Sequence, residues 1–140
     1  MTRQELEHAI RAACDVTGED EVIVFGSQAI LGQYPQAPAA LRQSMEADIA
    51  PGSGDPDAAD RIDGSLGEDS PFHRAHGFYV HGLTIAAATL PKDFVRTLLA
   101  EKLVAANKLR LRVQQLDGPG IDRDRLVRWI ELTCTDLART

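Results

Sequence analysis

Two short apolar segments with polar groups at fixed positions constrain this chain more than any other feature. Val22-Ile23-Val24-Phe25 is a continuous apolar run, β-branched at its first three positions, and it stops at Gly26-Ser27. Such a run reads as a strand buried on both faces that ends in a turn. Met45 to Ala50 is the second strand candidate, stopped by Pro51-Gly52-Ser53-Gly54-Asp55-Pro56. Strand side chains alternate faces, so Glu46 and Asp48 project together while Ala47 points the other way. If the two runs are neighbouring strands, a turn able to approach phosphate lies beside two carboxylates able to hold a metal.

The rest of the chain surrounds these runs with helices. Thr2-Arg3-Gln4-Glu5 has the form of a capping box, and Leu6, Ala9, Ile10, Ala13 and Cys14 then recur at helical spacing. Gly18 to Glu21 is a polar turn, a short helix carrying Gln28 to Leu31 follows the first strand, and Gln33 to Ala40 is a loop holding Pro35 and Pro38. Asp57 to Leu66 fits a short helix through Ala58, Ala59, Ile62 and Leu66, and Phe78 to Ile85 has strand composition weakened by Gly82. After Pro91 the texture is helical. Phe94, Leu98, Leu99, Leu103 and Val104 form one stripe, Leu109, Val113 and Leu116 a second, and Leu126, Trp129, Ile130, Leu132 and Leu137 a third. Asp117-Gly118-Pro119-Gly120 separates the last two. The expected organisation is an α/β core over residues 1–91 and a C-terminal helical segment over 92–140 packed on it.

Composition sets the bounds. With 44% hydrophobic but only 5% aromatic residues, aliphatic side chains must fill the core. No apolar run reaches the roughly 20 residues needed to span a bilayer, and the N-terminus lacks the apolar core of an export signal. The expectation is a cytoplasmic protein with no membrane partner. Cys14 and Cys134 form no CxxC pair and read as free, packed thiols. The net charge of −6 hides an asymmetry: residues 1–91 carry 5 basic and 14 acidic side chains, residues 92–140 carry 10 basic and 7 acidic. An acidic half favours a divalent-metal site, whereas Lys92, Lys102, Lys108, Arg110 and Arg112 are interspersed with acids and read as a solvated surface.

Transfer of a nucleotidyl group requires in-line attack on a phosphorus surrounded by negative charge, so positioning and charge neutralisation are most of the protein's task. Carboxylates paired on one strand and a glycine turn at the end of another supply both. The stretches VIVFGSQAILGQYP, SMEADIAP and IDGSLGEDSPFHRAHGFYVHGL resemble a bacterial family of nucleotidyltransferase-like proteins of unknown function. That family is similar to the nucleotidyltransferase toxins of abortive-infection toxin–antitoxin systems. The resemblance implies a polymerase-β-like nucleotidyltransferase fold, a short mixed sheet flanked by helices. It places Gly26 and Ser27 at the nucleotide-phosphate turn and Glu46 and Asp48 as catalytic metal ligands. It implies a nucleoside triphosphate and Mg²⁺, with an RNA or protein acceptor and an antitoxin as further partners, while self-association would cover the sheet edge that a missing strand leaves open.

The chain departs from the family's pattern in three places. A third carboxylate is expected on a later strand, where FYVHGL offers His81; Asp63, Glu68 or Asp69 could substitute only if a loop returned them. The excursion from Ser27 to Glu46 is longer than the common spacing. Leu90-Pro91 runs directly into Lys92-Asp93, without the strand and helix expected there, as in a shortened member of the family. These departures keep open a non-catalytic member acting as a binding or assembly module. Other readings also stand beside the functional ones. Glu46 and Asp48 could be a solvated pair on an exposed edge strand, and Ser27 could be an ordinary helix cap. His73 and His76 read as loop histidines and His81 as a strand residue, because their spacing matches no standard zinc set.

Overall fold

The computed structural model describes residues 1–84, 92–115 and 122–139. The chain divides into two compact units, Met1–Pro91 and Lys92–Thr140.

In the first unit, helix α1 (Arg3–Thr17) begins with the capping box read in the sequence. The Glu5 amide donates to Thr2 Oγ1 at 3.2 Å and the Thr2 amide to Glu5 Oε2 at 2.6 Å. The helix ends on Gly18 at φ 74°. Strand β1 (Val22–Phe25) leads into a 3₁₀ turn (Ser27–Ala29) and a single α-helical turn, α2 (Ile30–Gln33). A second 3₁₀ turn (Ala39–Leu41) precedes strand β2 (Glu46–Pro51). Helix α3 (Pro56–Leu66) is capped by Asp55, and helix α4 (Pro71–His76) by Ser70, each with proline in its first turn. With strand β3 (Tyr79–Gly82), the described residues form a three-stranded mixed sheet of order β1-β2-β3.

The register decides what the sheet presents. β1 pairs antiparallel with β2, placing Phe25 opposite Asp48 and Val24 opposite Ile49. β3 pairs parallel with β2, placing Tyr79 opposite Glu46 and His81 opposite Asp48. Side-chain alternation then turns Ala47, Ile49 and Val80, all fully buried, toward α1 and α3, and leaves Glu46, Asp48, Tyr79 and His81 together on the opposite face. From the helices, Leu6, Ala9, Ala13, Ala58, Ala59, Ile62 and Leu66 enter this core. Its alanines allow the helix backbones to approach the sheet closely.

Four expectations change here. Among the described residues β1 is an edge strand, and Ile23 is 41% exposed, so the run is not buried on both faces. β2 is the central strand, which removes the reading of Glu46 and Asp48 as an edge-strand pair. His73 and His76 lie on α4 and are not loop residues. Ser27 is not a helix cap: Gly26 precedes the turn, and Ser27 Oγ accepts from Gln28 Nε2 at 3.1 Å. The long Ser27–Glu46 excursion is ordered by burying Leu31, Ala37 and Leu41 and by Arg3, which donates to the Leu31 and Gly32 carbonyls at 2.7 Å each.

In the second unit, α5 (Lys92–Ala100), α6 (Ala106–Gln115) and α7 (Arg123–Leu137) form a helical cluster in which α7 packs against both others. Arg96 pairs with Asp136 at 2.7 Å across α5 and α7. The first stripe is shorter than the periodicity predicts, because α5 ends at Ala100 and Leu103 and Val104 belong to the following turn. Leu132 is 65% exposed and leaves the third stripe, where Ile130 and Thr133 are the buried positions. Ile85, the Leu90-Pro91 junction, Leu116 and Asp117 to Gly120 lie outside the described residues. Among the described residues, no helix is long and apolar enough to cross a membrane.

Gly82 marks the closest approach of helix to sheet. A methyl group there would overlap the Ala59 carbonyl oxygen and stand 2.6 Å from the Asp63 amide nitrogen and 2.9 Å from Ile62 Cβ. Backbone cannot yield as a flexible side chain can, so Gly82→Ala is expected to destabilise the first unit by about 1–3 kcal/mol. Urea unfolding measures it, and an unchanged midpoint would contradict this packing.

Candidate metal centre

Each side chain at the centre is placed by a different local rule. β2 alternation puts Glu46 and Asp48 on one face, and the parallel register of β3 brings Tyr79 and His81 across from them. Gly26 approaches from the end of β1. It adopts φ 72° and ψ −166°, and a Cβ there would overlap Asp48 Oδ2 and lie 2.9 Å from Asp48 Cγ. Only glycine satisfies both the positive φ and the contact. The turn read in the sequence therefore lies directly against the acid read in the sequence.

His81 Nδ1 sits 3.4 Å from Glu46 Oε1 and 3.6 Å from Asp48 Oδ1. One ligand atom from each of the three residues lies within 4.8 Å of the others. Adjacent ligands of a small octahedral dication are separated by about 3 Å, so small side-chain rotations would close the three around one ion. The donor set fits a divalent cation. The remaining oxygen of Glu46 is already engaged, since Tyr79 OH donates to Oε2 at 2.8 Å. That bond fixes the carboxylate and turns its Oε1 toward His81. It also pushes the Tyr79 phenol up to about 12, so the hydroxyl remains a donor.

Electrostatics favour a cation between the acids. Asp48 is raised from 3.8 to about 6, first by burial, then by its hydrogen bond to Glu46 and by that residue's charge, with His81 acting in the opposite direction. Two acids held this close in a half-buried position carry an electrostatic cost that a bound positive charge relieves.

A polar cavity of about 250 Å³ opens beside the centre, lined by Glu46, Asp63, Glu68, Tyr79 and His81. The end of α3 and its following turn thus return Asp63 and Glu68 to the site, and Asp63 Oδ1 also accepts from the Gly82 amide at 3.4 Å. Asp69 does not line this cavity; its amide donates to His73 Nδ1 at 3.1 Å. Neither His73 nor His76 joins His81. His76 packs with His8, Phe72 and Phe78, and the His73 ring lies 4.8 Å from that of Tyr79, tilted at 51°. The sequence reading named His81 but not as a ligand, and it missed Tyr79. Their alternation in Tyr79-Val80-His81 is visible in the sequence, but the register that sets them opposite Glu46 and Asp48 is not.

Comparison with protein-family models, curated proteins and solved structures finds no match.

The raised Asp48 carboxyl has a signed consequence for stability. Between pH 3.8 and about 6 the folded protein retains a proton that the unfolded chain has released, so this group makes stability fall as pH rises through that window. Asp48→Asn removes the effect. Urea titrations from pH 4 to pH 7 should show the variant gaining on the parent as pH rises and levelling above about pH 6. A constant difference across the range would contradict the assigned environment.

Proposed function

We propose that the first unit is a nucleotidyltransferase of the polymerase-β-like fold, taking a nucleoside triphosphate with a divalent cation. The observation that carries this reading is the contact between Gly26 and Asp48. It sets an anion-approaching turn against a carboxylate–carboxylate–imidazole cluster, which is the pairing that triphosphate chemistry needs. The mixed sheet, with helices on one face and the polar cluster on the other, supports the fold assignment.

In this reading Glu46, Asp48 and His81 hold the cation, and Tyr79 orients Glu46. The bound cation supplies charge neutralisation for the triphosphate. Gly26 and Ser27 lie along the phosphates, and the absence of a side chain at Gly26 lets the turn close directly on the Asp48 carboxylate. An acceptor hydroxyl, of an RNA or a protein in a toxin-like setting, enters the cavity beside Asp63 and Glu68. One of these carboxylates takes the hydroxyl proton as its oxygen bonds to the α-phosphorus. The bond to the bridging oxygen breaks and pyrophosphate leaves with that electron pair.

A second reading is favoured by His81. The strand position where a third carboxylate is expected carries an imidazole, which leaves a binding or assembly module that holds nucleotide without turning it over. A labelled-nucleotide transfer assay against RNA and protein acceptors separates the two.

Calorimetric titration with ATP, GTP, CTP and UTP, with Mg²⁺ or Mn²⁺ and without metal, tests both. At least one nucleotide is expected to bind in a metal-dependent manner. Glu46→Ala and Asp48→Ala should each weaken that binding by about tenfold or more. Binding of none of the four under any condition would overturn the proposal.

A further inference from the structure

The identity of the third ligand bears on which ion the centre accepts. Mg²⁺ is bound by oxygen, through one or two carboxylates together with water and phosphate, and has little affinity for imidazole nitrogen. First-row transition dications accept both donor types, and nitrogen donors raise their affinity relative to Mg²⁺. In this protein the nitrogen is not peripheral. His81 Nδ1 faces both carboxylates, at 3.4 Å and 3.6 Å, while no carboxylate occupies the described length of β3. Glu46 is held by Tyr79 through Oε2, which leaves its Oε1 facing His81 as a ligand oxygen.

We infer that Glu46, Asp48 and His81 Nδ1 form a mixed oxygen–nitrogen centre selective for a first-row transition dication, with Mn²⁺ as its representative, over Mg²⁺. This rests on the metal-centre part of the function proposed above and departs from the Mg²⁺ that the resemblance implies. Two effects combine at His81. The imidazole contributes a donor that Mn²⁺, although the weakest of the first-row series, accepts more readily than Mg²⁺ does. It also replaces a third negative charge, on which a purely electrostatic ion such as Mg²⁺ depends more heavily. For Nδ1 to ligate, the ring proton must reside on Nε2, so the imidazole binds in its neutral form. The two carboxylates then neutralise the dication, and the ligand positions left over remain for phosphate oxygens and water.

The test uses the full chain with Mn²⁺ and Mg²⁺ and no nucleotide. Mn²⁺ should bind about tenfold or more tightly than Mg²⁺. Pulsed electron paramagnetic resonance of the Mn²⁺-loaded protein should show nuclear modulation from a directly bound imidazole nitrogen, shifted on ¹⁵N-histidine labelling. In His81→Asp that modulation should vanish, and the Mn²⁺ over Mg²⁺ preference should fall by about tenfold as an all-oxygen set is restored. The wild-type spectrum decides the question even if the variant does not fold. Bound Mn²⁺ without nitrogen modulation, or a preference unchanged in folded His81→Asp, overturns the inference. A protein that favours Mg²⁺ yet binds nucleotide overturns this selectivity alone. One that binds neither ion overturns it together with the metal centre underlying the proposed function.

Discussion

The alternation of side chains along β2 is the constraint on which the first unit depends. Because the strand is central, one face of it must be apolar and the other is free to be polar. Ala47 and Ile49 are fully buried on the first face. Glu46 and Asp48 stand on the second, held by the same backbone. A one-residue slip of β2 would turn Glu46 and Asp48 into an alanine-lined core that has no partner for them, and the same slip of β3 would turn Tyr79 and His81 inward, so core packing and site geometry are a single requirement.

The centre is therefore assembled from segments that are distant in the chain but share one sheet. β1 brings Gly26 against Asp48. β3 sets Tyr79 and His81 opposite Glu46 and Asp48, and its close packing on α3 at Gly82 draws Asp63 toward the same cavity. Strand-borne ligands are positioned by hydrogen-bonded backbone, and Tyr79 adds a hydroxyl that holds one of the acids in place. Burial of Asp48 and then the nearness of Glu46 raise the Asp48 carboxyl, the electrostatic cost of placing two acids side by side on this face.

Local signals in the sequence were read well where the chemistry is local. The Thr2–Glu5 capping box, the helix ending at Leu66 and the strand carrying Glu46 and Asp48 depend on contacts within a few residues, and all are present in the fold. Helix α4 is legible too, from Ser70-Pro71 at its start and Gly77 after its end, but its slight apolar content gives the stretch the composition of a loop. The exposure of Ile23 was not legible: a β-branched run states that a strand forms, not whether it lies at the edge of a sheet. The extent of α5 failed for a related reason, since Leu103 and Val104 continue the apolar period while Lys102 takes a positive φ of 56° that ends the helix.

By itself, the sequence determined that an acid pair shares one side of a strand and that a glycine turn closes another, because alternation and turn chemistry are properties of the backbone and its nearest side chains. Only the tertiary structure decided that β2 is central, that His81 completes the cluster, and that Asp63 and Glu68 return to it while Asp69 does not. Those outcomes depend on strand order, register and helix placement. They are set by burying apolar surface across the whole unit, so no segment carries them alone.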